Sequence, residues 1–149
     1  MDQPIKIKED VYWIGSLDPG LVIFDIVIPT KHGTTYNSYL VRGEKIAVID
    51  TVKAYCVDDF ISKIRSLVRP EDIDYIIINH TEPDHSGGLI RLMELAPKAI
   101  PVFSRGARTF VKNILHKEFD YKEVKAGDSI DLGGKVLKFI SAPFLHWPD

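Results

Sequence analysis

Apolar and polar positions alternate in short bursts through the first third of the chain, at Val11 to Ile14, Leu21 to Ile28, Tyr36 to Val41 and Lys45 to Ile49. Gly, Pro and charged residues separate the bursts, which predicts short strands joined by turns in an opening β-meander. The period then changes. Phe60, Ile61, Ile64, Leu67 and Val68 recur at i, i+1, i+4, i+7 and i+8, one face of an α-helix that Asp58 and Asp59 favour at its start and Pro70 ends. Tyr75-Ile-Ile-Ile78 is continuously apolar, as a strand covered on both faces in the middle of a sheet must be. A helix from about Leu89 to Leu95, a strand from Ile100 to Phe103 and a helix from a Ser104 N-cap to near His116 continue a βαβα rhythm. Ser129 to Leu132 and Lys135 to Ile140 read as a hairpin, because Gly133-Gly134 suits the primed turns of two-residue loops. The whole pattern predicts one α/β layered domain.

Composition narrows the function classes. With 149 residues, 45% of them hydrophobic, the chain can bury a core, and 19 Lys plus Arg against 21 Asp plus Glu leave no basic excess to draw nucleic acid. No apolar run approaches the roughly 20 residues of a membrane span, and Met1-Asp-Gln-Pro lacks a signal-peptide pattern, so a cytoplasmic protein with no membrane partner is expected. Cys56 is the only cysteine, which excludes an internal disulfide or a thiolate cluster; any metal must be held by histidine and carboxylate. The chain stops at Pro143-Phe-Leu-His-Trp-Pro-Asp149, just past a polar cluster and without a closing helix or strand, so the C-terminal part of the domain is expected to be missing.

His80, Glu82, Asp84 and His85 place four metal-competent side chains within six residues, on the loop leaving the carboxyl end of a buried strand, where open α/β sheets site their ligands. In an extended loop, residues two apart point the same way, so His80 and Glu82 can hold one ion while Asp84 and His85, after the Pro83 turn, face a second. The glycines of Ser86-Gly87-Gly88 let the backbone pass close beneath. Six residues cannot fill two coordination spheres, and His146 lies on the next strand-end loop bearing a histidine; standing alone between Leu145 and Trp147, it equally suits a hydrogen-bonded, half-buried role. Asp50 ends an apolar strand and is placed to hydrogen-bond the metal loop rather than to bind metal. Tyr36 and Asn37 read as structural, His32 and His116 as surface residues, and Cys56 has no role. Trp147 either packs over the metal or belongs to an interface.

His80-x-Glu82-x-Asp84-His85 with Ser86-Gly87-Gly88, and His146-Trp147-Pro148-Asp149 beginning 61 residues after His85, resembles the metallo-β-lactamase-like domain of the flavodiiron proteins. Gly33 to Leu40 and Ala47 to Thr51 are similar to that family's early strands, so the resemblance covers nearly the whole chain. It implies an αββα sandwich cut short, with residues 1–149 its N-terminal portion. It further implies two iron ions, His80, Glu82 and His146 on one and Asp84 and His85 on the other. O2 or NO would be reduced with electrons passed through FMN on a flavodoxin-like domain absent from this sequence. An electron donor such as rubredoxin and a head-to-tail homodimer follow from the same resemblance. Hydrolases of the superfamily carry His-x-His-x-Asp-His, and Glu82 in place of the second histidine shifts the preference from zinc towards iron or manganese. Some family members line the pocket with a histidine near the position of Phe24-Asp-Ile26, which lacks one here. Two other readings stay open on the sequence: a zinc hydrolase of the same fold, and a non-catalytic fragment.

Overall fold

A computed structural model describes residues 3–24 and 26–149. Its strands are β1 (Ile5–Lys8), β2 (Val11–Trp13), β3 (Ser16–Asp18), β4 (Ile23–Phe24), β5 (Ile28–Pro29), β6 (Thr34–Tyr36), β7 (Tyr39–Arg42), β8 (Ile46–Ile49), β9 (Tyr75–Ile78), β10 (Ile100–Ser104), β11 (Lys122–Val124), β12 (Ser129–Asp131) and β13 (Val136–Lys138). The helices are α1 (Val57–Leu67), α2 (Pro83–Ser86), α3 (Leu89–Leu95) and α4 (Arg108–Leu115). One sheet runs β1-β2-β7-β8-β9-β10-β11, antiparallel as far as β8 and parallel from β8 to β11.

Alternation along each strand builds two faces. Leu40, Val48, Ile76 and Ile78 meet Phe60 and Ile64 of α1, Leu89 and Leu92 of α3 and Val111 of α4 in the main core. Val41, Ala47, Ile77 and Val102 face the other way, onto Ile130 and Leu132 of the β12–β13 hairpin. The helix period and the central position of Tyr75–Ile78 are as the pattern predicts. Gly133 and Gly134 take φ of 76° and 80°, and Leu132 N donates to Lys135 O at 2.8 Å, so the expected two-residue turn forms. Lys63, on the buried side of α1, donates to Gly15 O at 2.8 Å and pairs with Asp59 while its ammonium stands 5.2 Å over the Trp13 ring, which replaces the water it loses.

The structure corrects four expectations. Residues 21 to 28 are not one strand: β4 pairs with β5 as a small separate hairpin, whose apolar tip stands largely exposed. Tyr36 to Val41 is broken at Asn37–Ser38, where the chain leaves β6, paired with β3, and joins the main sheet, so β2 lies beside β7 and no simple meander forms. Ser104 caps the turn before α4, its Oγ accepting from Ala107 N at 3.2 Å, and the helix itself begins at Arg108. β1 and β11, the two edges, went unpredicted. Among the described residues, no helix is long and apolar enough to cross a membrane.

Candidate metal centre

The site grows from the parallel ends of β8 and β9. Asp50, just past β8 at φ 55°, turns its carboxylate onto the next loop, accepting from Asn79 N at 2.7 Å, His80 N at 3.3 Å and Asn79 Nδ2 at 3.3 Å. Burial pushes its carboxyl up to about 6, although those donors and the nearby His85 work against it. Thr51 adds a second clamp, its N and Oγ1 both donating to His85 O at 2.8 Å, and Gly88 N donates to Thr51 Oγ1 at 3.1 Å. Pro83 sits in the first turn of α2, where its missing N–H costs nothing, so the turn expected at Pro83 is one turn of helix that carries Asp84 and His85.

Three predicted ligands converge. His80 Nε2 and His146 Nε2 each lie 3.0 Å from Glu82 Oε2, and one donor atom from each of the three residues falls within 4.8 Å of the others. Glu82 is 14% exposed and His146 60%, so the cluster opens on the His146 side. The second pair lies alongside: the His80 and His85 rings are 5.4 Å apart, and Asp84 Oδ1 and His85 Nδ1 are buried with no hydrogen-bond partner. Orphaned buried atoms of this kind are costly, and the other atoms of the same pair, His85 Nε2 and Asp84 Oδ2, lie 3.6 Å apart. The three-residue set fits one metal ion, and Asp84 and His85 offer two further donors beside it. Histidine and carboxylate oxygen, with no sulfur, is a donor set for iron, manganese or zinc.

Each residue of His146-Trp147-Pro148-Asp149 has its own anchor. His146 meets Glu82; the Trp147 ring stands 5.5 Å from that of His80 and 5.4 Å from Phe110; and a Cβ on Gly106 would come within 2.5 Å of Pro148 O. The Asp149 side chain, 1% exposed, takes hydrogen bonds from Thr81 N and Oγ1 and lies 3.1 Å from His80 Nδ1. Burial alone would raise its carboxyl, but these donors outweigh burial and hold it below the usual carboxylate value. Likewise burial works to lower His80, while Asp149 and Glu82 outweigh it and raise the ring above its ordinary value. Sequence reasoning assigned Asp149 no role; its only trace there was its place in the four-residue motif.

A cavity of about 300 Å³ adjoins the centre, lined by Leu21, Ile23, Phe24 and Ile26 together with Lys53, Glu82 and Asp84. Asp25, the middle residue of the Phe24-Asp-Ile26 segment expected here, lies outside the described residues. Tyr36 and Asn37 serve the scaffold, as expected: Tyr36 Oη donates to Asp18 at 2.9 Å and lies 2.7 Å from Tyr55 Oη, and Asn37 accepts from Trp13 Nε1 at 3.0 Å. The Lys53 ammonium stands 5.7 Å and 5.5 Å from the rings of Tyr36 and Tyr55. His32 and His116 are exposed and outside the cluster.

Residues 34–149 match the model of the ODP family beta lactamase. The chain is 50% identical over 147 residues to a flavo-diiron protein, FprA2, of Clostridium acetobutylicum, covering 97% of this chain and 37% of that protein. It is 40% identical over 151 residues to a nitric oxide reductase of Moorella thermoacetica, covering 100% of this chain and 38% of the relative. Among solved structures, the rubredoxin oxygen:oxidoreductase of Desulfovibrio gigas superposes with a TM-score of 0.94 at 34% identity, over 99% of this chain and 37% of that one. The chain thus spans little more than a third of the length of these relatives.

Proposed function

The chain belongs to the flavodiiron protein family and has its metallo-β-lactamase-like fold; from that premise we propose that it is the N-terminal, metal-binding portion of a diiron reductase of O2 or NO. His80, Glu82 and His146 would hold one iron, and Asp84 and His85 would contribute to holding the other. Bound there, the iron pair would supply electrons and open coordination positions for reducing O2 to water or NO to nitrous oxide. Glu82 carries this reading: two imidazole nitrogens at 3.0 Å from one carboxylate oxygen make a two-histidine, one-carboxylate set, the donor set of non-haem ferrous sites that react with diatomics.

The chain's own residues do the rest. Asp50 and Thr51 fix the backbone on which the ligands stand, and Leu21, Ile23, Phe24 and Ile26 line the hollow beside Glu82 and Asp84 with apolar side chains. Lys53 also lines this hollow, its ammonium held against the rings of Tyr36 and Tyr55. The same reading assigns FMN to a flavodoxin-like domain outside these residues, with electrons from a carrier such as rubredoxin in the cytoplasm passing to the metal centre across a head-to-tail pair of copies. The relatives' names speak for reductases, and with Glu82 they disfavour a zinc hydrolase.

Protein prepared without oxygen and offered ferrous iron and zinc in competition is expected to take up iron first at His80, Glu82 and His146, with the Asp84–His85 pair filling less tightly. Preferential zinc, or no stable metal, would overturn the reading. Glu82→His should reverse the preference towards zinc, and elemental analysis showing unchanged iron content in that variant counts against the role of the carboxylate.

A further inference from the structure

Asp149 touches no candidate metal position, yet its side chain is buried beside one of the ligands. The ring of His80 lies between two carboxylates, Asp149 Oδ1 at 3.1 Å from Nδ1 and Glu82 Oε2 at 3.0 Å from Nε2. A neutral imidazole has one ring proton, so only one of these contacts can be an N–H donation, and the nitrogen left bare is the one able to bind a cation. The two carboxylates differ in how firmly they are held. Glu82 Oε2 is shared between the two histidines and opens towards the more exposed His146. Asp149 is fixed by both donors of Thr81, whose own residue is buried, and by the packing of Pro148 against Gly106 and of Trp147 against Phe110.

We propose that Asp149 is a positioning residue: with Thr81 it holds the proton of His80 on Nδ1, leaving Nε2 bare and aimed at Glu82 and His146. The same contact draws the 146–149 segment against the loop after β9, so one carboxylate both orients His80 and brings His146, three residues earlier, to Glu82. This rests on the reading of His80 as a ligand and goes beyond it by naming the group that selects its ligating nitrogen. A histidine bound to metal commonly gives its other N–H to such a partner, and loss of the partner typically weakens metal about 10–100-fold.

Long-range 1H–15N correlation spectra of the metal-free chain, taken at a pH where the His80 ring is neutral, report which nitrogen carries the proton. The expected result is Nδ1–H, lost or mixed in Asp149→Asn, whose amide can donate to Nδ1 and so favour the other tautomer. Cobalt titration followed by visible absorption should then show the variant binding at the His80 site about 10–100-fold more weakly, with an unchanged circular dichroism spectrum. Thr81→Val keeps the charge and removes one anchor; it should retain Nδ1–H and lose affinity by a smaller factor. Nε2–H in the unsubstituted chain overturns the proposal without recourse to any variant, as does unchanged cobalt affinity in Asp149→Asn. If the unsubstituted chain bound no metal, the metal-centre reading would fail, while the proton position would still decide the role of Asp149.

Discussion

Asp18 shows how much one surface carboxylate organises. It accepts from Tyr36 Oη and Tyr55 Oη, joining β3 to β6 and to the turn that follows β8, the same turn that carries Lys53 to the cavity. The Tyr55 hydrogen bond above all, then that of Tyr36 with the Lys53 charge, holds its carboxyl below the ordinary 3.8, against the opposing pull of burial. A carboxyl depressed on folding contributes stability that is present above its unfolded value and lost as pH falls through the native one. Asp18→Asn is therefore expected to lower the melting temperature at pH 7, with the difference from the parent shrinking below about pH 3.8. Thermal melts across that range check it, and an equal difference at pH 7 and pH 2.5 would contradict it. Nothing in the local pattern of residues 16–18 announces this contact; Asp18 reads as an ordinary turn residue until Tyr55 is brought beside it.

At the scale of elements, the metal loop depends on a close backbone approach. A Cβ added to Gly87 would meet Ala54 N at 2.5 Å, Pro83 O at 2.8 Å and Val52 O at 2.9 Å, all main-chain atoms that cannot swing aside. Gly87→Ala should cost about 1–3 kcal/mol and push α2 away from the turn after β8. Because α2 carries Asp84 and His85, metal analysis should show the second ion lost before the first, with the melting temperature lowered. Sequence reasoning anticipated this glycine, since a loop bearing four ligands and followed by Ser-Gly-Gly needs room. It placed a turn at Pro83 but did not identify it as helical, because a single turn is too short to show a period. It also read residues 21–28 as one strand: a β4–β5 hairpin of two-residue strands leaves its apolar side chains exposed, and apolarity by itself signals burial.

Across the whole molecule the helices cover one face of a single sheet, and Ile76, fully buried in β9 between β8 and β10, sits in that core with no solvent on any side. Ile76→Ala should cost about 2–5 kcal/mol. In urea it should appear as a lower midpoint with an unchanged slope, followed equally by circular dichroism and tryptophan fluorescence; divergent curves would show that the sheet does not unfold as one unit. Residue spacing was enough to place α1, β9, the glycine hairpin and the loop that carries His80, Glu82, Asp84 and His85, because each is written within one short stretch of chain. The order of strands, the break at Asn37–Ser38, the meeting of His146 with Glu82 and the lock of Asp149 onto Thr81 and His80 are not written that way. Period and turn chemistry report which way a side chain faces along its own element. They carry no record of which distant element closes against it, and that is settled only when the two sheet faces are buried together and every polar group left inside must find a partner.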